Sequence, residues 1–427
     1  MSAHQRSSSV ARIRGSSAAT QPTVAFLAPE IYPALNPAAG IQHIGGMEVQ
    51  QTLIGRGLAD LGYDVRYITR DFGQPEGLEV AGGTVHIMSS QPGGIPGVRF
   101  LYRSLPAIWN ALQRADPDII YVRGCSYLIA VAVWFSRVHR RRVVFAAAHD
   151  WDLDPGLRHL PVPVKRLYRH GLRRADRLVV QSVVQQQLLR RHFGRDGRLI
   201  RSTCAFSALA SEGEERAVIL WVGMFREEKQ PWRFLELARR FPQWEFVMIG
   251  GPVHRQEALF REVAAAARSI PNLVLTGFLS PDAVAGHFRR ARVLVNTSRC
   301  EGFPNTFLQA WAGGVPVLST VDPDGVIERH GLGRHAVSEK ALERELPEVL
   351  GEMRAPMRSI RSYFLTEHDQ RAVLHAYHEL FCGLGPFRRD RETAPEPETE
   401  CPTPQAPRPR RLRVPAFLLR GAERHHD

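Results

Sequence analysis

Short apolar runs alternate along this chain with longer stretches in which apolar residues recur every three or four positions. From Thr23 the runs fall at 24–28, 65–69, 119–122, 143–147 and 178–181, and a helical pattern at 48–61 follows the first after a long loop. A polar stretch at 202–216 interrupts the alternation. A second series then begins at 218–222, 246–249, 273–275, 293–295 and 315–318. Strands separated by about one helix each predict a parallel sheet covered by helices on both faces. The fold class expected is α/β, with two Rossmann-like, doubly wound parallel-sheet domains in tandem whose ligands gather at the carboxyl ends of the strands, in a shared cleft. A last helical pattern at 369–381 closes the folded part.

The two ends read differently. Residues 1–21 are rich in Ser, Ala and Arg without apolar periodicity, and residues 385–427 are rich in Pro, Arg and acids. Neither composition can offset the entropy of folding, so both are expected to be disordered. Between them the expected divisions are a first domain at 22–204, a linker at 205–216, a second domain at 217–364, and a helical segment at 365–384 packing back on the first domain. A length of 427 residues with 44% hydrophobic content suits two ordinary globular cores.

Charge and cysteine content narrow the function classes. The five cysteines have no paired spacing, so neither a zinc site nor a disulfide framework is suggested, and a reducing cytoplasm is the natural compartment. The most apolar stretch, 127–135, is far shorter than the roughly 20 residues that span a bilayer, and the N-terminus lacks a signal-peptide core. The net charge of +13 comes almost wholly from Arg, clustered at 137–142, 166–177 and 190–201. Nucleic acid is one partner such charge could serve, but no zinc-finger spacing, RNA-binding aromatic signature or recognition helix accompanies it. Anionic lipid heads need no such code. The tail at 408–420 interleaves cations with a small apolar patch, a pattern suited to a weak membrane-surface anchor as much as to a solvated tail.

The most informative segment is 299–319, RCEGFPNTFLQAWAGGVPVLS. It leaves a strand, places Glu301 on a loop, and enters a helix that Asn305 or Thr306 can cap and that Gly313-Gly314 would end. Unpaired amides and the helix dipole over residues 305–307 favour an anion by about 0.3–1 kcal/mol per charge. Glu301 would repel a phosphate there, so its role is to accept hydrogen bonds from hydroxyls attached to that phosphate, as on a sugar. Lys229 stands out because Lys is almost absent from a chain that otherwise uses Arg. No G-x-G-x-x-G follows the first strand, which argues against a nicotinamide cofactor.

The segment Glu301-Gly302-Phe303, with Gln309 following and Ala-x-Ala-Gly-Gly-Val-Pro-Val after it, resembles the signature of glycosyltransferase family 4, retaining enzymes of the GT-B fold. Leu220 to Gln230 (LWVGMFREEKQ) resembles that family's donor-diphosphate segment, Val321-Asp322-Pro323-Asp324-Gly325 its post-strand loop, and Ile44-Gly45-Gly46-Met47-Glu48 its first Gly-rich loop. The resemblance covers residues from about 24 to about 381. It implies a hexosyl-type glycosyltransferase, with the first domain on the acceptor side and the second binding a nucleotide-sugar donor. No metal or other cofactor is implied, and the acceptor would be a glycan or lipid-linked molecule in surface polysaccharide or glycolipid assembly.

Residue by residue, the resemblance implies that Glu301 grips the sugar hydroxyls and Lys229 the diphosphate. Gly302, the amides of Phe303, Asn305, Thr306 and Phe307, and the backbone of Gly45 and Gly46 face the same phosphates. Gln309 stands where many members carry a ribose-binding Glu. Gly277 and Phe278 would lie by the base. The family usually has Arg directly after the glycine; this chain has Met224, and Arg226 reaches for the phosphates from two residues on. His149 resembles the family histidine at the reaction centre, although Asp150, Asp152 and Asp154 in the same loop also have a spacing that suits a divalent ion. Arg123, at the end of a first-domain strand, is assigned to an acceptor phosphate. Two other classes stay open: a catalytically silent GT-B partner of another transferase, and a nucleic-acid-binding protein.

Overall fold

The computed structural model describes residues 21–40, 45–88, 104–157, 160–205, 216–253, 256–351 and 357–385. The disorder expected at 1–21 and 385–427 and the linker expected at 205–216 fall, but for their edge residues, outside the described residues.

The first sheet contains β1 (Thr23–Leu27), β2 (Asp64–Thr69), β3 (Glu79–Val80), β4 (Gly83–Ile87), β5 (Ile119–Arg123), β6 (Arg142–Ala146), β7 (Arg177–Val180) and β8 (Arg198–Leu199). Its order is β3-β4-β2-β1-β5-β6-β7-β8, and all neighbours are parallel except the β3–β4 hairpin. The second sheet contains β9 (Val218–Val222), β10 (Glu245–Ile249), β11 (Leu273–Gly277), β12 (Ala291–Asn296), β13 (Val317–Ser319) and β14 (Gly333–His335), in the order β11-β10-β9-β12-β13-β14, all parallel. The chain is thus α/β with two doubly wound parallel sheets. In each sheet the order reverses beside its first strand, β1 or β9, so the strand carboxyl ends open onto a crevice there.

Strand alternation builds a core on each face. In β1, Ala25 and Leu27 join one buried cluster while Val24 and Phe26 join the other. In β9, Ile219 and Trp221 face one side, Val218 and Leu220 the opposite. Each large side chain so buried contributes about 1.5–3 kcal/mol. The last two helices divide between the domains. Ile360 and Phe364, from the helix Met357–Glu367, pack into the second domain, whereas Val373, Tyr377, Leu380 and Phe381, from the helix Gln370–Cys382, pack against Val24, Phe26 and Tyr121 of the first. The chain therefore passes between the domains twice, near Thr203 and near His368, and the two passages meet: the Thr203 hydroxyl donates to the His368 carbonyl at 2.7 Å.

Across the cleft, the Asp324 carboxylate accepts hydrogen bonds from the N–H groups of Val183 (2.7 Å) and Val184 (2.9 Å), the first two residues of the first-domain helix Val183–Phe193. Among the described residues no helix is long and apolar enough to cross a membrane.

Candidate active site

Glu301 lies on the loop between β12 and the helix Asn305–Ala312, with its side chain 7% exposed. It forms an ion pair with the Lys229 ammonium. The Ser298 hydroxyl donates to the same carboxylate oxygen, Oε1, at 2.6 Å and the Asn296 amide at 3.5 Å. Burial alone would raise this carboxyl, but Lys229, Ser298 and Asn296 overcome it and hold the group below the usual carboxylate range. Glu301 is therefore a fixed anion, not a proton donor at neutral pH. The sequence gives Glu301 and Lys229 separate partners; the fold joins them into one pair.

Two loops are stitched together to make that pair. Lys229 ends a 3-10 turn, Glu227–Lys229, that follows β9. Its carbonyl accepts from the Thr297 hydroxyl at 2.6 Å, and that hydroxyl accepts from the Trp221 indole N–H at 3.0 Å. The Arg299 N–H donates to the Glu228 carbonyl at 2.8 Å. Gly250, at φ 137°, lets the β9 and β10 ends approach so closely that a Cβ there would stand 1.8 Å from the Gly223 oxygen. Beside Lys229, Gln230 holds a left-handed backbone, φ 46°, the kind of strained position that gathers at functional sites.

The helix start departs from the sequence expectation. Neither Asn305 nor Thr306 caps it; Pro304 takes the cap position with no side-chain bond. Pro304 already fixes φ near the value the first turn needs, which frees the Asn305 side chain for the other domain, where it donates to the Gly46 carbonyl at 2.8 Å. The Phe307 N–H is spent on the Pro304 carbonyl at 3.1 Å. The Phe303 and Phe307 rings are core, each packed on Trp311. The Asn305 and Thr306 amides are the ones at the helix mouth.

The first domain supplies the opposite wall. His149 follows β6, and Gly302 meets it edge on: a Cβ at 302 would stand 2.4 Å from the Ala148 oxygen and 3.1 Å from His149 Cα. Burial pulls the His149 imidazole below its usual value against the opposing pull of Asp152 and Glu301, so the ring is neutral at pH 7. The three loop acids each hold the loop. Asp152 accepts from the Ala148 (2.7 Å) and His149 (2.9 Å) N–H groups, Asp150 from the Gln185 amide (3.1 Å), and Asp154 from the Gly156 N–H (2.9 Å).

The remaining assigned residues are less uniform. Gly45 and Gly46 begin the helix Gly46–Asp60, where the buried Glu48 carboxyl folds back toward Gly45. Burial raises that carboxyl; the nearby charges of Arg123 and Arg226 pull it down. Arg226 stands 3.6 Å from Glu228 on its own loop in the second domain. Arg123 is buried, 3.4 Å from both the Tyr121 and Ser202 hydroxyls, which turns it toward the passage between domains. Phe278 covers Gly251 at the end of β11, next to Gly277, and Gln309 sits half-buried one turn into its helix. Sequence reading missed Asn296, Ser298, Gln50 and Asp324. The polar run after β12 and the glutamines buried on the helix Gly46–Asp60 were the available signals.

Comparison with known proteins agrees with this geometry. Residues 44–201 match the family described as Glycosyltransferase Family 4, and residues 216–350 match Glycosyl transferases group 1. A D-inositol 3-phosphate glycosyltransferase of Geodermatophilus obscurus is 28% identical over 337 residues, covering 69% of this chain and 74% of that one. Among solved structures, a sucrose-phosphate synthase from Thermosynechococcus elongatus superposes with a TM-score of 0.70 at 18% identity over 85% of this chain and 99% of that one. An Anabaena protein, HepE, solved with UDP and glucose, gives 0.66 at 15% identity over 84% and 99%. The chain is a glycosyltransferase built on the GT-B fold, with a family 4 domain followed by a group 1 domain.

Proposed function

We propose that this glycosyltransferase is a retaining enzyme that moves a sugar from a nucleotide-sugar to a glycan or lipid-linked acceptor in surface polysaccharide or glycolipid assembly, without a metal. The observation that carries the reading is the buried Lys229–Glu301 pair beside the mouth of the helix Asn305–Ala312, faced by His149 across Gly302. In this reading the diphosphate enters between Lys229, Arg226 and the Asn305 and Thr306 amides, where positive charge meets the negative charge that develops on the leaving group. Glu301, held ionised, accepts hydrogen bonds from sugar hydroxyls, and neutral His149 contacts the sugar from the other side. Neither can protonate the leaving group at pH 7, so the departing phosphate takes its proton from the acceptor hydroxyl, on the same face of the sugar, as the glycosidic bond breaks and the new one forms. Asp150, Asp152 and Asp154 are already engaged in holding their loop, which supports diphosphate binding by cations and amides alone.

A panel of nucleotide-sugars screened by thermal unfolding tests the donor. The right one, at about 100 times its dissociation constant, should add roughly 2.7 kcal/mol of stability. The shift and the transfer reaction should both survive EDTA. Loss with EDTA and recovery with magnesium or manganese would turn the Asp150–Asp154 loop into a metal site; no shift with any donor would favour a silent partner. We place the enzyme in the cytoplasm, on the unpaired spacing of its cysteines, and at the inner face of the membrane, on its Arg-rich charge. Removing residues 385–427 should weaken sedimentation with anionic vesicles at low salt, and equal sedimentation of both forms would refute a role for the tail.

A further inference from the structure

Gln50 lies on the helix Gly46–Asp60, 2% exposed, and both ends of its amide are in use. Nε2 donates to the Thr203 carbonyl at 2.5 Å and to Asn305 Oδ1 at 3.0 Å, while Oε1 accepts from the Thr203 N–H at 3.2 Å. Thr203 belongs to the first passage between the domains, and Asn305 is the first residue of the helix whose mouth faces Lys229 and Glu301. One buried side chain thus joins the hinge to a wall of the cleft.

The connections continue on both sides. Burial lowers His368 to about 4, so its ring is neutral and Nδ1–H donates to the Ser202 carbonyl at 2.8 Å, locking the second passage to the first. The Ser202 hydroxyl donates to Gln181 Oε1, and Gln181 Nε2 donates to the Ala147 (2.7 Å) and Ala148 (3.2 Å) carbonyls just before His149. Asn305 in turn donates to Gly46. Residues 202–203 are therefore bonded, through one amide each way, to the helix end of one domain and the histidine loop of the other. A core position that served packing alone would be filled equally well by Leu or Met.

We propose that Gln50 is a positioning residue that sets the Asn305 end of the helix against the hinge, so that closing the cleft and completing the donor site are one event. This rests on the donor entering at that helix. Gln50→Met keeps length and volume and removes the three bonds. If the closed form falls to a tenth of its population, the apparent dissociation constant of the donor rises about tenfold. Calorimetry with the nucleotide-sugar that the parent protein binds should show that rise, KM for the donor should follow it, and kcat should stay within about twofold. Small-angle scattering should give a larger radius of gyration for the free variant, returning to the parent value with saturating donor. Should the methionine variant not fold, Gln50→Glu, which retains the Oε1 acceptor and loses the Nε2 donor, carries the same measurements. A variant that melts lower yet keeps the parent affinity and radius would overturn the proposal and leave Gln50 a packing residue. If the parent binds no nucleotide-sugar, the donor reading fails instead, and the radius comparison still decides whether Gln50 acts on the hinge.

Discussion

Replacing Lys229 by alanine should reduce sugar transfer by about 10- to 100-fold and should also destabilise the fold, a combination that a surface lysine would not give. The kinetic part follows from losing a charged contact to the leaving phosphate, worth about 1.5–3 kcal/mol at roughly 1.4 kcal/mol per decade. The stability part follows from Glu301, which keeps only the Ser298 and Asn296 donors once the ammonium is gone. Breaking a buried pair by removing one partner costs about 3 kcal/mol. Glu301→Gln should lose as much activity but less stability, because Lys229 is a quarter exposed and can turn to water. The sign of the pH effect is fixed. Glu301 has a lowered carboxyl in the fold, so in the parent its stabilising contribution is present above the unfolded value of 4.5 and is lost as pH falls through the lowered one. In Lys229→Ala the largest lowering influence is gone, so the same carboxyl should take a proton at higher pH than in the parent. Urea unfolding should therefore show the gap between parent and Lys229→Ala narrowing from pH 7 toward pH 4. A gap that stays constant would mean that Glu301 does not depend on Lys229.

Gly302→Ala should abolish nearly all activity while leaving both cores folded. The added methyl would meet the Ala148 oxygen at 2.4 Å, which is backbone of the other domain and cannot rotate away. Relief requires the domains to part by about 1 Å, a displacement of reacting groups that costs on the order of 100-fold. Circular dichroism should be unchanged and the donor should still bind to the second domain, more weakly. Wild-type turnover by this variant would show that the cleft works in a more open form than the one described.

The central strands were legible because burial on both faces leaves a continuous apolar run. β1, β5, β6, β9, β10 and β12 each lie between two neighbours, and the expected runs overlap all of them. β3, β8 and β14, which the sequence did not disclose, are edge strands; β4, also undisclosed, has only the two-residue β3 outside it, whereas β11, an edge strand, was disclosed by the run 273–275. With one paired side, a segment such as Gly333–His335 needs no apolar side chain to hold its place. The same logic runs through the site. Glu301, Lys229 and His149 stood out as unusual residues in recognisable segments. Their pairing did not, because it depends on loops 72 residues apart meeting through Thr297 and Trp221. Asn305 and Thr306 are residue types that favour a cap, but Pro304 already shapes the turn. Arg123 ends its strand at the cleft, which points to an acceptor; the hydroxyls of Tyr121 and Ser202 beside it are visible only in the fold.

The clasp formed by Asp324 has a kinetic meaning. Its carboxylate and the two amides it holds are all groups that water solvates well, and the Asn305–Gly46 contact is of the same kind. A hydrogen bond exchanged for water yields only about 0.5–1.5 kcal/mol net. A seam of such bonds closes readily and yields readily, whereas an apolar seam of equal extent would resist wetting and trap what lies behind it. The cleft can therefore open by letting water into the clasp, without unfolding either domain.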